Sequence, residues 1–249
     1  MNPILVVPAR LGSTRLPRKP LAMIAGAPMI VHVWRRATEV ALGPVLVAAD
    51  DPAIADAVRA AGGEAVLTRP DHPSGTDRIA EALSLVDPGG RHDVVINLQG
   101  DLPTVAPEAT RAAAALLADE AVDVATPVAI VRDEHEADAA HVVKMVGTPD
   151  PQDRRRFRAL YFTRVRAPWG DGPLFHHIGL YAWRRPSFER FVRLPASVLE
   201  QREKLEQLRA LEAGMRVDAV LVDDVPLGVD TPEDLERARA MLARPPATH

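Results

Sequence analysis

In the first half of the chain, short apolar runs alternate with segments whose apolar residues recur at helical spacing. Ile4–Val7 and Val94–Leu98 are apolar runs that predict buried strands of a parallel sheet. Pro28–Val40 and Asp51–Ala61 predict helices, the second of which ends at a glycine pair. The same pattern predicts strands at residues 45–48 and 64–67 and helices at residues 74–84 and 107–117. Strands that alternate with helices of this length indicate βαβ units and a mostly parallel central sheet flanked by helices.

From Asp123 the pattern changes to strand-like segments with few helices between them. Strands are predicted at residues 123–131, 142–146, 159–163, 177–183 and 217–222, and an exposed turn at residues 148–158. One helix is predicted from Val198 to Ala213, and a last helix begins after Thr231, whose hydroxyl can cap it. The predicted fold class is therefore α/β, with a mixed, β-rich second half that is partly antiparallel.

The composition is that of an ordinary globular protein and excludes several classes of function. The 249 residues, 47% of them hydrophobic, suffice for one large α/β domain with a buried core. A net charge of −4 argues against a general nucleic-acid binder, which needs a basic face. The lack of cysteine excludes disulfides, thiolate metal sites and cysteine nucleophiles. Because no apolar run approaches the ~20 residues of a membrane span and no signal peptide is recognisable, a cytoplasmic protein without a membrane partner is expected.

A cationic loop follows the first predicted strand. Its three cations are Arg10, Arg15 and Lys19. Glycine and proline residues interrupt the segment, so it is expected to be a loop at the carboxyl end of the strand, where open α/β sheets bind ligands. With the hydroxyls of Ser13 and Thr14 and free backbone N–H groups, the loop suits a polyphosphate. The alternative is a solvated basic turn.

The spacing of this loop, P-A-R-x-x-S-T-R-L-P-x-K-P-L from Pro8 to Leu21, resembles the signature loop of the cytidylyltransferases that activate acidic sugars. The resemblance is greatest to the enzymes that act on 3-deoxy-manno-octulosonate (KDO), and it covers nearly the whole chain. It implies a Rossmann-like nucleotidyltransferase fold with a single domain over residues 1–243. Residues 1–122 would form the nucleotide-binding half, residues 123–243 the sugar-binding and dimerisation half, and residues 244–249 a disordered tail.

A second motif, from Arg69 to Arg78, resembles the family segment that lies over the nucleotide base. Ser74 and Gly75 at a predicted helix start offer donors that suit the O2 and N3 acceptors of cytosine. The simpler alternative is a capped helix beside a solvated arginine. The resemblance implies the nucleotide-binding set Pro8, Ala9, Arg10, Ser13, Lys19, Arg69, Ser74, Gly75 and Gln99.

Two aspartates are candidates for a metal site. Asp101 follows a predicted strand in the motif N-x-Q-G-D, and Asp230 lies in the motif G-V-D-T-P-E-D-L. Each of them alone is as easily a turn or helix cap. The resemblance implies that both bind Mg²⁺, which prefers carboxylate and phosphate oxygens. The implied catalytic residues are Arg10, Lys19, Asp101 and Asp230. Arg18 and Leu102 depart from the residues that the family often has there, glycine and glutamate.

Three motifs of the second half resemble the sugar-binding motifs of the family. They are L-Y-F-T-R ending at Arg164, H-x-G-x-Y ending at Tyr181, and L-E-Q-L around Glu206. An arginine fork suits the carboxylate of an acidic sugar, and the other side chains can bind its hydroxyls. The implied sugar-binding set is Arg15, Gln99, Arg164, His177, Tyr181, Glu206 and Gln207. Alternatively, the histidine is a structural residue and Glu206 pairs with Arg209 on a helix face.

The resemblance implies an enzyme that transfers CMP from CTP to KDO, giving CMP-KDO and pyrophosphate, with Mg²⁺ as cofactor and a homodimer as the assembly. CMP-KDO would be the activated sugar for lipopolysaccharide biosynthesis. One alternative is a sister enzyme that uses another 2-keto sugar acid, such as a sialic acid, or another nucleotide. A second alternative is a catalytically silent nucleotide-binding protein, which would have no need to retain all four implied catalytic residues.

Overall fold

The computed structural model describes residues 1–13 and 15–243, which form two compact units. The first unit comprises Met1–His92, Asn97–Pro107 and the chain from Pro226, and the second comprises Asp93–Ile96 and Glu108–Val225. These units differ from the predicted halves, because the chain that carries Asp230 returns to the first unit. Thr14 and the predicted tail at residues 244–249 lie outside the described residues.

The first unit is built on three parallel strands. They are β1 (Pro3–Ala9), β4 (Val45–Ala49) and β5 (Glu64–Leu67), with a small hairpin of β2 (Met23–Ile24) and β3 (Ala27–Pro28). The helices of this part are α1 (Met29–Glu39), α2 (Pro52–Ala60) and α3 (Gly75–Val86). All seven residues of β1 are buried, as its unbroken apolar run predicts. Because the strands are parallel, their carboxyl ends meet at one edge, and Ala49 lies opposite both Ala9 and Leu67.

The second unit has a mixed sheet, as predicted. Its strands are β6 (Val94–Asn97), β7 (Val124–Ile130), β8 (Lys144–Pro149), β9 (Arg156–Thr163), β10 (Phe175–His177), β11 (Tyr181–Arg184) and β12 (Val217–Leu221). The order from one side is β10-β8-β9-β12-β7-β11, in which β12 and β7 are parallel and the other neighbours pair antiparallel. The helices are α4 (Pro107–Ala115), α5 (Glu134–Asp138), α6 (Arg185–Arg193), α7 (Val198–Glu203) and α8 (Gln207–Glu212).

The prediction of one helix from Val198 to Ala213 is wrong. Lys204 adopts a left-handed conformation, with φ of 57°, and separates α7 from α8. The guanidinium of Arg164 binds the carbonyl oxygens of Glu203 and Lys204 at this break. Those bonds satisfy carbonyls that a continuous helix would satisfy internally, so a tertiary contact overrides the apolar periodicity.

The predicted strand at residues 177–183 is also two strands, β10 and β11. Between them, the carbonyl oxygens of Ile178 and Leu180 accept hydrogen bonds from the Thr126 hydroxyl instead of pairing with a neighbouring strand. Helix α6 was not predicted. The turn predicted at residues 148–158 is shorter, because β8 extends to Pro149, β9 begins at Arg156, and the Asp150 carboxylate accepts backbone N–H groups between them.

The last helix, α9 (Pro232–Leu242), begins after a capping box between Thr231 and Asp234, as predicted. Its buried Leu235 and Ala238 pack with Ile24 and Met29 of the first unit. Just before it, the N–H of Val229 donates to the carbonyl of Asp101 at 3.0 Å, which brings Asp230 beside Asp101. None of the described helices is both long and apolar enough to cross a membrane.

Candidate active site

A polar cavity of about 450 Å³ lies in the first unit, at the edge where β1 ends. It is lined by most of the residues that the sequence predicts for the nucleotide, the metal and the phosphates. These are Pro8, Ala9, Arg10, Ser13, Arg15, Lys19, Ser74, Gly75, Gln99, Asp101 and Asp230. Residues from four separate parts of the chain therefore meet at the carboxyl edge of the parallel strands, the usual ligand edge of such a sheet.

Local hydrogen bonds hold the cationic loop in place. The N–H of Leu11 donates to the Asp50 carboxylate, which follows β4, at 3.0 Å. Ser13 Oγ accepts from the N–H of Leu16, and a short 3₁₀ turn then begins at Lys19. Arg18, immediately before this turn, has a φ of 54°. A glycine would be less strained in this left-handed conformation, which explains why an arginine is an unusual residue here.

The ammonium of Lys19 lies between the two predicted metal ligands. Its Nζ donates to Asp101 Oδ2 at 2.9 Å and to Asp230 Oδ1 at 3.0 Å, and Arg15 lies 3.3 Å from the second oxygen of Asp230. Burial opposes the charge of Lys19, but the field and hydrogen bonds of Asp101 and Asp230 outweigh it and raise the pKa of Lys19. Lys19 is therefore a fixed cation that neutralises a pair of carboxylates.

The geometry of these carboxylates fits a divalent cation. One oxygen from each of Asp101 and Asp230 converges on a single positive group, so the pair already coordinates one cation, the Lys19 ammonium. Within residues 1–13 and 15–243, no group of three or more His, Asp or Glu side chains is placed to hold a metal. A magnesium ion at this pair would therefore take its other ligands from substrate and water oxygens, which is usual for Mg²⁺ at phosphates.

Close backbone approaches shape the wall of the cavity beside Pro8. A Cβ on Gly100 would come 2.5 Å from the carbonyl oxygen of Pro8, so only glycine fits there. A Cβ on Gly75 would lie 3.2 Å from the ring of Pro8, which makes that position tight as well. Ser74 caps α3, and its hydroxyl also donates to the Asp77 carboxylate at 2.7 Å. The capping role expected of Ser74 is thus confirmed, while its contact with a base stays a prediction.

Arg69 is the exception among the predicted nucleotide residues. Its side chain is two-thirds exposed and is not among the residues that line the cavity. It lies within 4 Å of the carboxylates of Asp71 and Glu81, and its backbone N–H donates to Glu81. The structure therefore does not bring the Arg69 guanidinium together with the other nucleotide residues.

Two further residues of the same motif line the cavity and were not predicted. Arg78 is 2% exposed, and its Nη1 donates to Thr68 and to the Arg69 carbonyl. His72 is held by a hydrogen bond to Glu81. Both residues lie in the segment from Arg69 to Arg78, so the motif was the signal that could have found them. Which of its polar residues face the cavity depends on where α3 packs.

In the second unit, His177 is a neutral, fully engaged side chain. Gln207 Nε2 donates to His177 Nδ1 at 3.5 Å, so the ring proton is on Nε2, which donates to Thr126 Oγ1 at 3.0 Å. The Thr126 hydroxyl donates in turn to backbone carbonyls. Burial, with the neighbouring His176, lowers the pKa of His177 to about 3. The structure thus favours the structural alternative for this histidine.

Tyr181, Glu206 and Gln207 lie near His177. The rings of His177 and Tyr181 are 5.5 Å apart, and Gln207 is buried with its amide on the histidine. Burial and the charge of Glu206 raise the pKa of Tyr181, so the phenol stays neutral and can donate a hydrogen bond. The alternative pairing of Glu206 with Arg209 is also present, at 3.7 Å, while Arg209 binds Glu200 more closely, at 2.6 Å.

Arg164 binds three backbone carbonyls of the second unit. Its Nε donates to Glu203, its Nη1 to Ala140 and its Nη2 to Lys204, at 2.7, 3.0 and 3.2 Å. The Glu203 carboxylate accepts from the Arg164 N–H and from the Thr163 hydroxyl. These bonds fix the break between α7 and α8, two residues before Glu206. They leave Arg164 few donors for a sugar carboxylate, and its sugar contact stays a prediction.

Comparison with known proteins identifies the family of this chain. A family model described as "Cytidylyltransferase" matches residues 4–217. A 3-deoxy-manno-octulosonate cytidylyltransferase of Methylobacterium nodulans is 66% identical over 97% of this chain and 97% of its own length. One of Azorhizobium caulinodans is 62% identical, over 96% of this chain and 95% of its own length.

Solved structures agree in fold. A structure of CMP:2-keto-3-deoxy-manno-octonic acid synthetase complexed with CTP has a TM-score of 0.88 and 41% identity, covering 98% of this chain and 99% of that one. A 4-diphosphocytidyl-2C-methyl-D-erythritol synthase from Anaerococcus prevotii has a TM-score of 0.64 at 12% identity, with coverage of 98% and 99%, and shares the fold alone. The predicted α/β nucleotidyltransferase fold is confirmed. The chain belongs to the cytidylyltransferase family, among relatives described as 3-deoxy-manno-octulosonate cytidylyltransferases.

Proposed function

We propose that this enzyme transfers CMP from CTP to 3-deoxy-D-manno-octulosonate, giving CMP-KDO and pyrophosphate. The observation that carries the proposal is the bridge of Lys19 between Asp101 and Asp230 in a cavity that also contains Arg10 and Arg15. This arrangement suits a triphosphate and a divalent cation, and the relatives with over 60% identity have the same activity in their names. CMP-KDO is the form in which KDO is activated for lipopolysaccharide biosynthesis.

In the proposed reaction the anomeric hydroxyl of KDO attacks the α-phosphorus of CTP. A new bond forms between the anomeric oxygen and the α-phosphorus, the hydroxyl proton is lost to solvent, the bond from the α-phosphorus to the bridging oxygen breaks, and pyrophosphate leaves with the electron pair. Catalysis of such a transfer is chiefly positioning and neutralisation of charge. Arg10, Arg15 and Lys19 would neutralise the phosphates, and Ser13 would donate a hydrogen bond to them.

The Asp101 and Asp230 carboxylates would hold one Mg²⁺ ion, which supplies positive charge at the α-phosphate and lowers the pKa of the attacking hydroxyl. Lys19 contacts the same two carboxylates, so its ammonium would lie close both to this ion and to the phosphates that the ion binds. The nucleoside would contact Pro8, Ala9, Ser74, Gly75 and Gln99.

For the sugar we propose contacts from Arg15 and Gln99 in the first unit. In the second unit we propose the Tyr181 phenol, the Glu206 carboxylate and the Gln207 amide. His177 and Arg164 would support these side chains, because their own polar atoms are already bound within the protein. Hydroxyl-rich sugars are recognised by such mixed donors and acceptors.

We also propose a homodimer in the cytoplasm. A groove of about 430 Å³ in the second unit is lined by Ile130, Met145, Phe157, Leu174, Phe175 and Leu221. Trp169 is fully exposed, and its chain neighbours Pro168 and Gly170 line the groove. An apolar groove next to a projecting aromatic on one unit suits a two-fold contact with a second copy.

Sedimentation tests the proposed homodimer. It should give twice the chain mass for the wild type and for Leu85→Ser, which changes an exposed control residue, and the mass of a monomer for Trp169→Ser.

The function is tested by mixing the purified protein with CTP, Mg²⁺ and KDO and detecting CMP-KDO by mass spectrometry and pyrophosphate release. N-acetylneuraminate and other 2-keto sugar acids are assayed in parallel, as are the other nucleoside triphosphates. Turnover greatest with CTP and KDO supports the proposal. Faster turnover with another sugar acid or nucleotide would show a sister enzyme, and CTP binding without turnover would show a silent protein.

A further inference from the structure

His72 lies against the cavity but belongs to none of the roles above. Its side chain is only 5% exposed, and its Nε2 forms a hydrogen bond with Glu81 Oε2. The segment that carries it, from Arg69 to Ser74, contains two prolines and ends at the cap of α3. A buried polar ring in such a constrained loop has a fixed orientation.

Glu81, on α3, is the group that fixes this ring. The same oxygen that binds His72 also accepts the backbone N–H of Arg69 at 2.9 Å, so one carboxylate holds the loop at its start and at His72. Burial alone would raise the pKa of Glu81, but the hydrogen bonds from His72 and Arg69 outweigh it and lower that pKa. An ionised carboxylate only accepts hydrogen bonds, so Nε2 of His72 must carry a proton.

The other ring nitrogen, Nδ1, forms no hydrogen bond with the described residues, although the ring lines the cavity. A Cβ on Gly75, three positions after His72, would lie 3.2 Å from the Pro8 ring and 3.9 Å from Gln99 Oε1, so this part of the segment packs beside Pro8 and Gln99. His72 belongs to the segment that carries Ser74 and Gly75, two residues proposed for the nucleoside, whereas the phosphate cations Arg10, Arg15 and Lys19 lie on the segment after β1.

We propose that His72 is a further nucleotide-binding residue, whose Nδ1 contacts the nucleoside part of CTP, and that Glu81 is the positioning residue that aims it. The inference rests on the proposed function, since it names a contact of the same cavity. The contact would add affinity for the nucleoside without adding affinity for phosphate, because Nε2 and its charge partner are turned towards α3.

The variants His72→Asn and His72→Gln distinguish the roles of the two ring nitrogens. Asparagine places its amide near the position of Nδ1, whereas glutamine reaches the position of Nε2 and can keep the bond to Glu81. Glu81→Gln removes the negative charge that orients the ring and keeps the size of the side chain. Asp71→Asn is the matched control, since Asp71 is an exposed carboxylate of the same loop, 3.9 Å from Arg69 Nε.

Calorimetry with CTP, CMP and inorganic tripolyphosphate measures the contact. We expect His72→Gln to lower the affinity for CTP and for CMP by roughly tenfold each, which is the contribution of about one hydrogen bond. The affinity for tripolyphosphate should be unchanged. The affinity of His72→Asn for CMP should be closer to that of the wild type. Glu81→Gln should lower the affinity for CMP less than His72→Gln does, and Asp71→Asn should have the affinity of the wild type.

Three outcomes would overturn the proposal. Equal CMP affinity in all variants, with only a lower Tm in His72→Gln, would make the pair purely structural. A parallel loss of tripolyphosphate binding would make His72 a phosphate ligand. Better retention by glutamine than by asparagine would show that Nε2 and not Nδ1 matters. A wild-type protein that does not bind CTP at all would instead refute the proposed function, and this inference with it.

Discussion

Lys19 Nζ lies 2.9 Å from Asp101 Oδ2, although 82 positions separate the two residues along the chain. The contact joins the phosphate loop to the motif after β6, and the backbone bond from Val229 to Asp101 adds the third partner, Asp230. Each residue alone has an ordinary explanation as a cap or a solvated charge. Their convergence on one point does not, because a largely buried lysine between two aspartates has to be assembled from three distant segments.

The first prediction concerns the carboxylates. Asp101→Asn and Asp230→Asn should each lower kcat by roughly 10²-fold or more with the fold retained, because a neutral amide is a poor ligand for Mg²⁺ and a poor partner for Lys19. Steady-state kinetics with circular dichroism checks this. Asp224→Asn, an exposed carboxylate in the second unit, is the control. Near-normal turnover of both site variants would place the metal elsewhere.

The second prediction concerns the choice of nucleotide. CTP should be used far better than UTP, because uracil presents an N–H and a carbonyl where cytosine presents N3 and an amino group. A buried site that matches one pattern leaves groups unpaired with the other, at a cost of about 1–3 kcal/mol each. The ratio of kcat/KM for the two nucleotides measures this. Equal kcat/KM values for CTP and UTP would mean that the segment from Arg69 to Arg78 does not recognise the base.

The third prediction separates Lys19 from Arg164. Lys19→Ala should lower kcat even with both substrates saturating, because the charge that it neutralises grows as pyrophosphate leaves. Arg164→Ala should instead raise the KM for KDO, leave the KM for CTP nearly unchanged, and lower Tm through the loss of its carbonyl contacts.

The size of the two Arg164 effects distinguishes its roles. A raised sugar KM with an unchanged Tm would indicate a direct bond to the sugar carboxylate. A lower Tm with an unchanged sugar KM would indicate that the break between α7 and α8 does not position Glu206 and Gln207. Arg166→Ala, which removes an exposed pair with Glu134, is the control and should change neither KM.

The fourth prediction concerns acid stability. The pKa of His177 is about 3 in the folded protein, far below the ~6.5 of an unfolded histidine, so the unfolded state binds a proton first as the pH falls. The free energy of unfolding is fully retained above pH ~6.5 and decreases towards pH 3, by at most about 1.4 kcal/mol per pH unit for this group. His176, with a pKa of about 4, adds to the effect.

Thermal unfolding between pH 4 and pH 7.5 measures this dependence. His177→Gln keeps an amide at the position of Nε2, and should reduce the dependence of Tm on pH because no proton can bind there. His135→Gln alters an exposed histidine and should leave the wild-type dependence unchanged. An unaltered slope in His177→Gln would mean that other groups carry the acid sensitivity.

The sequence by itself determined the local elements of the first unit. The apolar run of β1, the Ser74 cap and the Thr231 cap are written in neighbouring residues, and the structure has each of them. Local energies suffice for such features, because strand burial and helix capping depend on spacings of a few residues. The motifs were also local, so most of the polar residues that line the cavity could be predicted from the sequence.

The tertiary structure decided what those residues do. Apolar spacing predicted one helix where Arg164 supports a break at Lys204, and it carried no signal of Lys19 bridging two aspartates. Pattern likewise could not tell that the ring nitrogens of His177 are engaged by Thr126 and Gln207, or that His72 faces the cavity while Arg69 does not. These features depend on contacts between segments far apart in the chain, and hydrophobic periodicity reports which face of an element is buried but not what it meets.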